Sequence, residues 1–219
     1  MFWALFVSSS STENKHFEKV LENPSEAPKQ LREILNKLSK DLTDFARDIC
    51  VEHNIDPNVK IVPTLIHYLE HEVMTRYVGG WGIDIETIVK ERIEKKKVYI
   101  HAWYDPEKRT IFIYIDLPED MFCISLAHEL IHHCQYTCHS EKCKNICEYW
   151  LNIDEAREIN ESIPYNLRPH EIEAYTKDEE FCRRIKENKR FNEVYKKYTD
   201  ALQEVKEIMT FLTVIYSDL

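Results

Sequence analysis

Ala127-His128-Glu129-Leu130-Ile131-His132-His133 is the stretch on which the reading of this chain turns. Histidines at positions i and i+4 of a helix lie on one side, one turn apart. Their nitrogens can then share a zinc ion at about 2.0–2.1 Å. A glutamate directly after the first histidine stands beside the metal without ligating it, placed to take a proton from water. His128 and His132 are therefore candidate ligands, and Glu129 is the candidate general base. His67-Tyr68-Leu69-Glu70-His71 repeats the histidine spacing but has Tyr where the base belongs, so it is expected to be structural.

Around the motif, helical periodicity runs from about 119 to 137. At 100° per residue, Phe122, Leu126, Ala127, Leu130, Ile131 and Cys134 share one side. Ser125, His128, Glu129, His132 and Tyr136 lie opposite, where they can line a cleft. His133 points away from His128 and is expected behind the ligands or in solvent. Upstream, Val98 to Tyr104 and Ile111 to Leu117 are β-branched and aromatic, with turn residues Asp105 to Thr110 between them. That pattern predicts a β-hairpin at about 98–117.

Further helices are expected from Lys29 to about His53 and from Pro63, near a first turn, to Tyr77. Three more are expected at about 141–162, 169–188 and 190–217. All three glycines sit in Gly79-Gly80-Trp81-Gly82, a tight connection. Residues 1–26 predict an irregular N-terminal arm, and 27–219 a single domain. The expected fold class is α+β: mainly helical, with a small antiparallel sheet ahead of the motif helix.

The chain has 219 residues, 43% of them hydrophobic, enough for one sizeable core. A net charge of −10 argues against nucleic acid and anionic membrane as partners, and the lone basic run, Glu94 to Lys97, suits a solvated helix end. No segment reaches the roughly eighteen apolar residues a membrane span needs. Met1 to Val7 lacks the basic flank of a signal peptide. A soluble, cytoplasmic protein acting on a peptide or protein is expected, with oligomeric state left open. Abundant Lys, Glu and Ile with seven cysteines fit a thermophile, where intracellular disulfides are tolerated.

A hydrolytic zinc site usually has three protein ligands. In 169–188 the apolar Ala174, Tyr175, Phe181, Cys182 and Ile185 define an inward face; Glu171 and Asp178 lie on it, while Glu173 points toward water. A buried carboxylate needs a partner, and a metal is one. Glu171 is the best-placed third ligand, with Glu155 and then Glu173 as alternatives; a helix N-terminal acid after Pro169 is the plain reading of Glu171.

With these residues in hand, 127–133 followed by Arg168-Pro169-His170-Glu171-Ile172-Glu173-Ala174 resembles the zincin metallopeptidases. More narrowly, it is similar to gluzincin-like proteins, whose third ligand is a downstream helical glutamate. The Glu-x-Glu-Ala element is also similar to ImmA/IrrE-type zincins. The resemblance covers about 98–188. It implies zinc bound by His128, His132 and Glu171, Glu129 as base, and peptide-bond hydrolysis. The interval from His132 to Glu171 is longer than in thermolysin-like enzymes, and Glu155 lies nearer their spacing. Tyr165, His170 and Tyr175 are candidate oxyanion donors, and Ile111 to Ile115 a candidate edge for an extended peptide.

Cys134, Cys138, Cys143 and Cys147 form two pairs at helical i, i+4 spacing. Two helices joined near His139-Ser140 would pair Cys134 with Cys147 and Cys138 with Cys143; a second, four-cysteine zinc site is the alternative. Cys50, Cys123 and Cys182 are expected as core residues. A zinc peptidase is the leading function. A regulatory or metal-sensing zincin acting on one partner protein, and a non-enzymatic helical interaction module, are the alternatives.

Overall fold

Leu31, Ile34, Leu35, Leu38, Leu42, Phe45, Ala46 and Ile49 recur three and four residues apart, and all are buried. That stripe makes helix α2, Ala27–Glu52, the long support of the fold. It ends in a Schellman motif: Asn54 adopts a left-handed φ of 56°, Asn54 N–H donates to Val51 O, and Ile55 N–H donates to Cys50 O. The computed structural model describes residues 15–64, 101–137 and 163–217.

Its remaining main elements are α1 (Lys15–Glu22), β1 (Lys60–Thr64), β2 (Ala102–Asp105), β3 (Thr110–Tyr114), α3 (Glu119–Thr137), α4 (Pro169–Glu187) and α5 (Phe191–Ser217). The α+β class fits: helices around a small sheet. The sheet order is β1-β3-β2, with β1 parallel and β2 antiparallel to β3. The hairpin expected at about 98–117 is present as β2 and β3. The sheet is mixed rather than antiparallel, because β1 joins it from far upstream.

Pro63 and Thr64, expected to open a helix, instead close β1. Proline favours a helix's first turn, but it also suits an outer strand where its missing N–H faces away from the ladder. Lys60 N–H bonds Arg109 O, and Ile115 N–H bonds Thr64 O, so even-numbered residues of β1 face β3. Ile61 and Pro63 face outward, toward α2, where Thr43 Oγ1 accepts from Ile61 N–H and Ser39 donates to Ile61 O. The helix thus covers the strand's free edge. The rest of the helix expected to Tyr77, the glycine cluster, Glu94–Lys97, His67 and His71, and the helix at 141–162 all lie outside the described residues.

Residues 15–26, expected as irregular, instead form α1 and a short 3-10 turn at Pro24–Glu26. Val20 of α1 is fully buried, and Phe17 meets Phe211 of α5 edge-on. Helix α5 also holds the sheet. The buried Tyr198 hydroxyl accepts from Leu117 N–H at 2.8 Å and donates to Tyr114 O at 2.6 Å. No helix among the described residues is long and apolar enough to cross a membrane.

A disulfide joins Cys123 of α3 to Cys182 of α4, with Cα atoms 5.4 Å apart. These two were expected as core residues, and both are buried; the pairing follows from packing two helices 59 residues apart along the chain. Cys50 is the buried free thiol among the described residues, its pKa pushed up to about 12 by burial and the charge of Asp56.

Candidate metal centre

Helix α3 starts after Pro118, with Glu119 and Asp120 favourable in its first turn. Both of its faces are buried. The apolar side joins the core, while Ser125, His128, Glu129 and His132 are covered as well. Helix α4 packs along α3. Pro169 fixes its first helical position, and Glu171 enters the first turn. The dipole favours an acid there, yet the carboxylate does not cap the helix: it turns inward to the two histidines.

The geometry is specific. His128 Nε2 and His132 Nε2 are 3.1 Å apart. Glu171 Oε2 lies 3.3 Å from the former and 3.6 Å from the latter. Ligands at zinc–nitrogen and zinc–oxygen distances in a tetrahedron would be separated by about 3.4 Å. The three atoms therefore outline one face of such a tetrahedron, with all three side chains buried.

The protons say more than the distances. Gln135 Nε2 faces the His170 carbonyl and Glu173 Oε2, which can only accept. Its Oε1 must then face His132 Nδ1, at 2.8 Å, so that nitrogen carries the hydrogen. His128 Nδ1 likewise faces a carboxylate oxygen, Asp178 Oδ2, at 3.3 Å. In the neutral rings both Nε2 atoms are therefore lone pairs. Two lone pairs and a carboxylate oxygen converge in a buried place, and only a cation or a proton relieves them. The donor set fits a metal.

Without a metal the proton takes that role. Burial alone would lower the His132 pKa, but the Glu171 hydrogen bond and the charges of Glu129 and Glu171 outweigh it and raise it to about 9. Burial would likewise raise the Glu171 carboxyl; hydrogen bonds from His128, His132 and His170 win and hold it far below the usual carboxylate range. Glu129 moves the other way. Burial raises its pKa against the histidine charges and a hydrogen bond from the Tyr104 backbone N–H.

The other candidates divide as follows. The Tyr165 hydroxyl hydrogen-bonds Glu171, while the residue stays 43% exposed. His170 Nε2 is 3.4 Å from Glu171 Oε1, and the Tyr175 ring centroid is 4.7 Å from that of His128. Glu173 is half-buried on Gln135 rather than in water. His133 is fully buried, not solvent-facing: its Nδ1 meets the Tyr104 hydroxyl at 2.9 Å and its Nε2 the Asp56 carbonyl at 2.8 Å. Glu155 lies outside the described residues, as do Cys138, Cys143 and Cys147; Cys134 is in a disulfide.

Sequence reasoning placed Asp178 on the inward face beside Glu171 without a role behind His128, and did not single out Gln135. Helical phase pointed to the first, and the His132-x-x-Gln135 spacing was the available sign of the second. Comparison with known protein families, curated proteins and solved structures gives no match.

Proposed function

We propose that this chain is a zinc-dependent peptidase of the zincin kind, with His128, His132 and Glu171 as ligands and Glu129 as general base. One observation carries the reading: two imidazole lone pairs and a carboxylate oxygen meet at tetrahedral spacing beside a buried glutamate. The resemblance of 127–133 and 168–174 to gluzincin-like proteins supports it. Zinc, when bound, would supply a Lewis acid that polarises a carbonyl and makes water easier to deprotonate.

The chain's own groups do the rest. Glu129 takes the proton from the attacking water and returns it to the leaving amine; burial, by making its carboxylate more basic, suits that exchange. Asp178 and Gln135 keep protons on the outer nitrogens of His128 and His132. The Tyr165 hydroxyl, beside Glu171, is a candidate donor for a developing oxyanion.

A substrate strand cannot add to β3, which lies between β1 and β2. The outward-facing backbone groups of the hairpin belong to Ala102 and Tyr104 on β2, next to α3; the Tyr104 N–H is taken by Glu129, so among the described residues the Ala102 groups and the Tyr104 carbonyl are the ones an extended peptide would meet.

Glu129→Gln tests the proposal. The variant should bind zinc like the wild type and lose at least about 100-fold in peptide turnover. Undiminished turnover would remove Glu129 as base, and a chain without stoichiometric zinc would remove the centre.

A further inference from the structure

Gln135 follows His132 by three residues on α3 and has no exposed surface. Its amide nitrogen is 3.0 Å from His170 O and 2.9 Å from Glu173 Oε2, while its oxygen is 2.8 Å from His132 Nδ1. The two donor contacts fall on either side of Glu171. A single amide therefore touches one proposed ligand from behind and grips the helical turn that presents another.

We infer that Gln135 is a positioning residue of the metal centre, an inference that rests on the metal reading above. It holds the hydrogen on His132 Nδ1, which leaves Nε2 for the metal. It also fixes the first turn of α4, so that Glu171 Oε2 stays 3.6 Å from that nitrogen. The two histidines are thus backed differently: His128 by the carboxylate of Asp178, His132 by a neutral amide.

The amide is needed because the three partners demand both kinds of group. A carboxylate at 135 would still accept from His132 Nδ1. It would also set acceptor against acceptor at His170 O and Glu173 Oε2, in a buried place where such contacts are costly. A leucine would satisfy none of the three. Restoring a donor from the other side, with glutamine at 173, would repair the contact between 135 and 173.

The test uses the full chain and two probes, zinc affinity by competition with a chromophoric chelator and the visible absorption of cobalt(II) loaded in zinc's place. Gln135→Leu and Gln135→Glu should each weaken zinc by about 10–100-fold and alter the cobalt spectrum. Gln135→Glu combined with Glu173→Gln should regain part of the affinity. A merely structural amide would lower thermal stability yet leave the spectrum of the folded protein unchanged.

Folded single variants with wild-type zinc affinity and spectrum would overturn the inference while leaving the metal centre standing. A double variant no better than Gln135→Glu would overturn it too, and decides the matter if Gln135→Leu does not fold. A wild-type chain that takes up no zinc would overturn the centre itself, and this inference with it.

Discussion

His132 is pulled in two directions. Burial favours its neutral ring, whereas Glu171 and Glu129 favour the charged one and win, raising the pKa from 6.5 to about 9 in the metal-free protein. A metal needs the neutral ring, so it must displace that proton. Zinc binding at pH 7 should release about one proton from this residue. Apparent affinity should therefore climb as pH rises toward 9 and flatten above it. Calorimetry in buffers of different ionisation enthalpy checks this; no proton release at pH 7 would contradict it.

At this scale much was legible. His128, Glu129 and His132 follow from helical phase within one turn, and Glu171 from the inward face of its own helix. Asp178 and Gln135 were harder, because their roles depend on partners 50 and 35 residues away, which no local spacing encodes.

Helices α3 and α4 together carry every proposed ligand, and Cys123–Cys182 ties them. Closing a loop of this length limits the unfolded chain by about 4 kcal/mol in the entropic view. Replacing both cysteines with alanine should lower unfolding free energy by about 2–4 kcal/mol, read by denaturant titration. An unchanged midpoint would show that packing alone holds the pair.

The motif and hairpin elements emerged near their expected bounds because their local signals are plain: apolar residues at helical spacing in 119–137, 169–188 and 190–217, and β-branched and aromatic flanks around turn residues in the hairpin. β1 and α1 did not. Pro63 suits two kinds of element equally well at the level of local chemistry, and only the ladder with β3 decides between them. The polar sequence around α1 hides a short helix whose burial of Val20 depends on what surrounds it.

For the molecule as a whole, the sheet, α2 and α5 form the frame against which the metal-bearing helices are set. Tyr198 is a central joint of that frame, since its hydroxyl satisfies two backbone groups at the end of β3. Tyr198→Phe keeps the ring and strands both groups, and should cost about 1–3 kcal/mol. A loss near zero by thermal or denaturant unfolding would mean that water or a shifted backbone replaces the hydroxyl.

Composition set the limits here, one core and an acidic surface, but not the assembly. Which helices pair across the core is decided by contacts far apart along the chain.

Zinc K-edge X-ray absorption on the purified protein, with metal content measured on the same sample, reaches the centre most directly. The account predicts one zinc per chain, with two imidazoles and oxygen at about 2.0–2.2 Å. Sulfur scatterers at about 2.3 Å, or a protein without stoichiometric metal, would contradict it.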